Sequence, residues 1–272
     1  MQTVFRKPGE RVHLDRVPAG PPDGMTREKA EKRFESLGEE LFRLQDAMWG
    51  ARLHGVLVVL QGRDAAGKDG AIKHVAGSLN PRGLNVVSFG VPTPEEREHD
   101  FLWRVHQHAP RLGEFAIFNR SHYEDVLVVR VHELVPEKLW RARYEHIVGF
   151  ERLLAQHGTI VLKYFLHITK DEQKKRLLER EARPETAWKI NANDWRERRR
   201  WDDYTEAYEE AISRTATREA PWTVVPSNAK WYRNLVIAES VVEALRPHYG
   251  EWLARLRKVG REARAEVRRS MR

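Results

Sequence analysis

The sequence predicts an α/β fold: a parallel sheet of five strands flanked by helices on both faces, with a helical lid inserted before the last strand. Three observations predict it. The run Val56-Leu57-Val58-Val59-Leu60 leads straight into a glycine-rich turn and then into a helical pattern, a strand–loop–helix unit. Val/Ile/Leu-rich segments then alternate with helical ones, as in a parallel sheet buried on both faces. Residues 170–215 interrupt the alternation with a long, helical, charge-dense stretch.

The elements follow in order. After a Pro/Gly-rich lead-in from Pro18 to Gly24, Thr26 caps a helix running to about Leu53. Along it Ala30, Phe34, Leu37, Leu41, Leu44 and Met48 recur at helical spacing, a packing stripe. Strands are expected at 55–61, 84–89, 114–118, 159–166 and 222–226, and helices at 68–79, 95–108, 136–157 and 230–246. In the first of these helices Ile72, Val75, Ala76 and Leu79 share a face. Trp188, Trp195, Trp201 and Tyr204 read as packing within the lid, about 170–215. A basic helix closes the chain at about 250–270, with Trp252, Leu253, Leu256, Val259 and Val267 as its sparse apolar positions. We expect one domain over 1–272, with the 26–53 helix as an N-terminal extension.

Bulk properties narrow the class. With 272 residues, 41% apolar and 32% charged, the chain can bury one substantial core beneath a heavily charged surface. No apolar run approaches the ~18 residues of a membrane span, and the first residues lack a secretory apolar segment. There is no cysteine, hence no disulfide and no thiolate metal site. A cytoplasmic protein without a membrane partner is expected. Much of the net charge of +8 lies in residues 246–272, with nine Lys/Arg against three Glu. A solvated helical face is the expected reading; attraction for a polyanion is its functional alternative. His99, His106, His108, His122, His132 and His146 form no HExxH pattern and are expected to bind no metal.

The chemistry concentrates after the first strand. Gly62, Gly67 and Lys68 fit G-x-x-x-x-G-K, in which backbone N–H groups and a lysine surround a phosphate chain. The position after the lysine, usually Ser or Thr, holds Asp69, and Asp64 lies inside the loop. Carboxylates there would repel phosphate unless a cation lay between, so a carboxylate-held Mg²⁺ is expected. The third strand ends in Phe118-Asn119-Arg120-Ser121-His122-Tyr123-Glu124-Asp125, beside that loop. Arg120 would neutralise phosphate oxygens, and Glu124 or Asp125 could hold Mg²⁺ or orient an acceptor. Asn119 or Ser121 equally suits a helix cap. The lid cations, Arg180 and Lys189 among them, would close over a transferred phosphate.

Three separated motifs together resemble the polyphosphate kinase 2 family: Gly62–Gly70, Phe118–Val126, and Trp188-Lys189-Ile190-Asn191 followed by Trp201-Asp202-Asp203-Tyr204. The likeness continues through Ala220-Pro221-Trp222 and Lys230-Trp231-Tyr232-Arg233-Asn234-Leu235, covering about residues 30–248. It implies a P-loop kinase fold with a helical lid and Mg²⁺-dependent phosphate transfer between inorganic polyphosphate and nucleotides. Where family members often have Asp-Arg-Ser-Trp-Tyr-Asn, Asn119 replaces the acid and Glu124 the amide, the pattern of class III, associated with phosphorylating both AMP and ADP.

By motif, the resemblance makes Asp64 and Glu124 the metal or acceptor-site carboxylates, and Lys68, Arg120 and Arg180 the catalytic cations. It places Gly62, Arg63, Ala65, Ala66, Gly67, Lys68, Asp69, Gly70, Asn119 and Lys189 around phosphate or nucleotide. Mg²⁺, with Mn²⁺ as a substitute, is the implied cofactor. Polyphosphate and adenine nucleotides, with guanine nucleotides as a second class, are the implied partners, and a homo-oligomer the implied assembly. The lid departs from the family's Asp-Pro-x-Lys-x-Trp-Lys, reading Arg183-Pro184-Glu185-Thr186-Ala187-Trp188-Lys189, which leaves open which lid cation meets polyphosphate. The rival readings are an ATP-dependent nucleotide kinase of the thymidylate-kinase type, and a nucleic-acid-binding P-loop protein using the basic tail.

Overall fold

Seven consecutive buried residues, Gly55–Gln61, form the central strand β2 of a six-stranded sheet. The computed structural model describes residues 3–182 and 184–271; Met1, Gln2, Arg183 and Arg272, and the side chains of Thr186 and Ala187, lie outside it. The strands are β1 (Thr3–Phe5), β2 (Gly55–Gln61), β3 (Leu84–Ser88), β4 (Phe115–Asn119), β5 (Thr159–His167) and β6 (Trp222–Pro226), ordered β1-β6-β5-β2-β4-β3. The five expected strands are all present and pair in parallel. The sheet is nevertheless not five-stranded. Thr3–Phe5 adds an antiparallel edge on β6, with Val4 opposite Thr223; three residues are too few to show strand alternation.

The helices are α1 (Arg27–Ala51), α2 (Lys68–Gly77), α3 (Pro94–Glu98), α4 (Trp103–His106), α5 (Val128–Val131), α6 (Glu137–Gln156), α7 (Lys170–Ala182), α8 (Ala192–Arg199), α9 (Trp201–Thr215), α10 (Lys230–Leu245) and α11 (Tyr249–Ser270). Thr26 caps α1 by accepting from Lys29 N, and left-handed Arg52 (φ 50°) ends it. The single helix expected at 95–108 is instead α3 and α4. Extended backbone at His99 stops the first, and Asp100 Oδ1 accepts from Leu102 N (2.9 Å) to start the second. The break lets Arg104 turn inward to donate to Gly90 O at 3.0 Å.

Successive residues of β2 face opposite cores. Val56, Val58 and Leu60 pack with α1, α2 and α10, while Leu57 and Val59 pack with α6 and α9. This is the two-sided burial that a continuous apolar run encodes. The second core holds an ion pair: Lys163 Nζ, on β5, donates to Glu151 Oε2 (2.6 Å), Thr215 O (2.8 Å) and Tyr123 OH (3.0 Å). Tyr123 OH in turn donates to Glu151 Oε1 at 2.8 Å. Removing one partner of such a pair costs about 3–5 kcal/mol. The network anchors the turn after β4 against α6, β5 and the end of α9, which fixes the residues considered next.

Candidate active site

Beyond Gln61 the chain turns through Gly62–Gly67 and begins α2 at Lys68. Ala65 (φ 62°) and Gly67 (φ 100°) are left-handed. A side chain at Gly67 would be strained by that backbone, and its Cβ would displace the Arg233 guanidinium. The first N–H groups of α2, without partners inside the helix, and its positive dipole end make this turn attractive to anions. Lys68 Nζ folds back to donate to Gly62 O (2.6 Å) and Arg63 O (3.3 Å). Burial, helped by the charge of Arg120, pulls the Lys68 pKa below its ordinary value.

Parallel pairing sets Leu60 opposite Asn119, so the turn after β4 lies beside the glycine loop. Left-handed Arg120 (φ 63°) sits between two carboxylates, its Nη2 donating to Asp64 Oδ1 at 3.0 Å and its Nη1 to Glu124 Oε2 at 3.4 Å. Burial pushes the Glu124 carboxyl above the usual range despite Arg120 and Lys68. Asp194 is raised by burial and by Asp64. Asp69 goes the other way: burial opposes ionisation, but hydrogen bonds from Lys189 Nζ (3.0 Å) and Asn119 Nδ2 (3.1 Å) outweigh it. Arg180 Nη1 donates to Asp194 Oδ2 at 2.9 Å.

Two cavities share this junction. Asp64, Arg120, Asn191 and Asp194 line both. The larger, about 890 Å³, is walled by cations including Lys68, Lys175, Arg176, Arg180, Lys189 and Arg233. The smaller, about 320 Å³, has Val91, Leu127, Trp201, Tyr204 and Tyr208 beside Arg63 and Glu124. Along the larger cavity nine Lys/Arg face six Asp/Glu, an excess of positive charge; the smaller has aromatic and aliphatic walls around an ionic end.

A divalent cation fits the donor set. Asp64 and Glu124 present carboxylate oxygens on either side of Arg120. Among the described residues they do not close with a third acid into a compact cage. That suits a small divalent cation that uses one or two carboxylates and completes its shell with waters and phosphate oxygens. The compact group that does occur, His54–His248–Glu251, lies at the other end of β2, where Trp252 Nε1 donates to His54 Nδ1 at 3.0 Å.

The sequence model described as polyphosphate kinase 2 matches residues 24–251. The chain belongs to the polyphosphate kinase 2 family. It is 56% identical over 209 residues to an AMP/ADP-polyphosphate phosphotransferase of Meiothermus ruber, covering 77% of this chain and 78% of the relative. It is 40% identical over 250 residues to an ADP-polyphosphate phosphotransferase of Rhodopseudomonas palustris, covering 87% and 86%. The crystal structure of polyphosphate kinase 2 from Arthrobacter aurescens superposes with TM-score 0.84 at 37% identity, covering 89% of this chain and 90% of that one.

In this polyphosphate kinase 2 chain, Asp64, Ala65, Gly67, Lys68, Asp69, Gly70, Asn119, Arg120, Arg180 and Lys189 line the larger cavity, and Gly62, Arg63 and Glu124 the smaller. Ala66 is fully buried, and its carbonyl accepts from Arg176 Nη1 at 3.0 Å. Arg63 is held by protein: Nη2 donates to Trp201 O (3.0 Å) and to Thr205 Oγ1, and the guanidinium lies 3.9 Å from the Trp201 ring centroid. Of the two candidate acids after β4, Asp125 is tied to Arg143 at 3.1 Å and Arg104 at 3.8 Å, leaving Glu124 at the junction. Ser121, rather than Asn119, caps the turn, its Oγ accepting from Tyr123 N. Sequence reasoning gave Arg176 and Arg233 no individual place at the site, although Arg233 falls in the Lys230–Leu235 motif, and it did not name Asp194. Arg176 donates to the carbonyls of Ala65 and Ser227 as well, bracing the loop from β6. Such tertiary bracing leaves no local spacing signal.

Proposed function

We propose that the protein transfers a phosphoryl group from inorganic polyphosphate to nucleotides, AMP to ADP and ADP to ATP, reversibly in principle. The observation that carries this is the pair of cavities meeting at Asp64 and Arg120, one cationic and one aromatic-walled. The names of its relatives support the same substrates. Polyphosphate lies in the larger cavity and the nucleotide in the smaller. A nucleotide phosphate oxygen attacks the terminal phosphorus of the polymer; the new O–P bond forms as the anhydride O–P bond breaks, and the shortened polymer keeps the electron pair. The attacking phosphate is already ionised near neutral pH, so no strong general base is required. Positioning and charge neutralisation supply the acceleration.

Lys68 and Arg120 offset charge on the moving group, with Arg180 above them on α7. Asp64 and Glu124 would hold the divalent cation, Mg²⁺ or in its place Mn²⁺, which neutralises facing phosphate oxygens. Residues 170–215 act as the lid. Adenine nucleotides are the principal acceptors and guanine nucleotides a second class; the protein works in the cytoplasm as a homo-oligomer. The nucleotide classes, the metal, the lid and the assembly rest on the family resemblance, and the cytoplasmic location on the composition of the sequence. Among the described residues no helix is long and apolar enough to cross a membrane.

The test is donor choice. Incubated with AMP or ADP, Mg²⁺ and long-chain polyphosphate, the protein should make ATP. Lys68→Ala should lower turnover roughly 10²–10³-fold, as loss of one transition-state donor does, while unfolding at an unchanged temperature. Phosphorylation with ATP as the sole effective donor would favour the thymidylate-kinase-type reading. Salt-steep duplex binding that disappears with residues 250–272 would favour the nucleic-acid one.

A further inference from the structure

Arg233, on the first turn of α10, is 2% exposed. Among the described residues no carboxylate pairs with it; Nε and Nη2 donate to the neighbouring Asn234 Oδ1 at 3.1 and 2.7 Å. Its surroundings are positive. The guanidinium lies across the start of α2, Nη1 in the space a Cβ on Gly67 would take and Nη2 3.1 Å from the same position on Gly70. The dipole of α2 places partial positive charge there. Arg176 stands beside it, and burial together with that charge lowers the Arg233 pKa to about 10. Arg176 itself is compensated by Glu172 at 2.7 Å and by backbone carbonyls; Arg233 is not. A buried cation without a counter-charge is costly to a fold. Arg233 lines the larger cavity and not the smaller, away from the shared junction.

We propose that Arg233 is a phosphate-binding residue of the larger cavity, taking an interior phosphate of the polyphosphate chain against the start of α2. The proposal rests on the functional reading above. It explains why Arg233, unlike Arg176 beside it, has no carboxylate partner among the described residues: its counter-charge is the polymer.

The experiment compares wild type with Arg233→Met and Arg233→Lys by thermal unfolding, with and without long-chain polyphosphate or AMP, and by steady-state kinetics. Without ligand, Arg233→Met should unfold at the wild-type temperature or above. It should lose most of the polyphosphate-induced rise, and its KM for polyphosphate should increase about 10–100-fold, the loss of a charge-assisted hydrogen bond. Turnover and nucleotide KM should shift less than about threefold. Arg233→Lys, a point charge without the fork, should fall between. An Arg233→Met chain that unfolds several degrees lower, or does not fold, would overturn the proposal by making the guanidinium a structural element. An unaltered polyphosphate KM, or a rise confined to the nucleotide KM, would overturn it too. A wild type that gains no stability from polyphosphate and makes no ATP would sink the functional reading itself, and the inference with it. A wild type that does both, beside an unaltered Arg233→Met, would sink the inference alone.

Discussion

Glu124 illustrates how a residue can burden the fold and serve the site. Burial raises its pKa, so the folded chain holds a proton on it more tightly than the unfolded chain does. The stability from this group is complete below its unfolded pKa and is lost as pH rises through the folded value. Glu124→Gln should therefore raise the ligand-free unfolding temperature at pH 8 by about 2–4 °C, with the gain vanishing near pH 4–5. The same substitution should cut turnover at least ~10²-fold, since it removes a charge at the junction. Calorimetry across pH, run beside the polyphosphate assay, checks both. That Asp64 and Lys68 sit in a glycine-rich turn was legible in the sequence because such a turn is written in local spacing, and Glu124 lies in the polar run that ends the third expected strand. Arg233 was not legible in this way. Its meaning comes from the lack of a carboxylate partner among the described residues, and Lys163, unremarkable within an apolar strand, is likewise explained only in space, by Glu151 on α6.

At the scale of elements, the segment α7–α9 touches the glycine loop from several sides. Gln173 Nε2 donates to Asp64 O at 3.0 Å, Lys189 reaches Asp69, and Arg63 stacks on Trp201. The Arg63–Trp201 contact ties the loop to the start of α9, the stretch walling the smaller cavity. A cation–π contact of about 0.5–2 kcal/mol corresponds to roughly 2–30-fold in affinity. Trp201→Ala should accordingly raise the nucleotide KM about 2–30-fold and speed hydrogen exchange across α8 and α9, leaving α2 as protected as before. The long helices α1, α6 and α10 were readable from apolar periodicity. The break between α3 and α4 was not, because it depends on one aspartate capping a new turn. β1 was too short to carry a pattern.

Across the whole molecule, the last helix divides in two. Trp252 is fully buried, and Leu256 packs against Gly50 of α1, whereas Val259 and Val267 are exposed. Trp252→Ala should cost about 3–5 kcal/mol, read as a lower denaturant midpoint. Removing residues 259–272 should leave the unfolding temperature within about 2 °C and preserve polyphosphate-dependent ATP formation. The sheet and its order of helices were visible in the alternation of apolar runs, which any two-faced parallel sheet must show. That the sheet end opens into two chambers was not visible, since their walls come from residues scattered between Arg27 and Asn234.

Those chambers share Asp64, Arg120, Asn191 and Asp194 but differ in the rest of their lining, and this geometry bears on traffic. On the proposed assignment, a polymer in one chamber and a nucleotide in the other meet only at the residues the two chambers share, so neither need pass through the space of the other. If that assignment holds, a spent nucleotide would depart and a fresh one arrive while the polymer stays bound, and one strand would be shortened repeatedly without being let go.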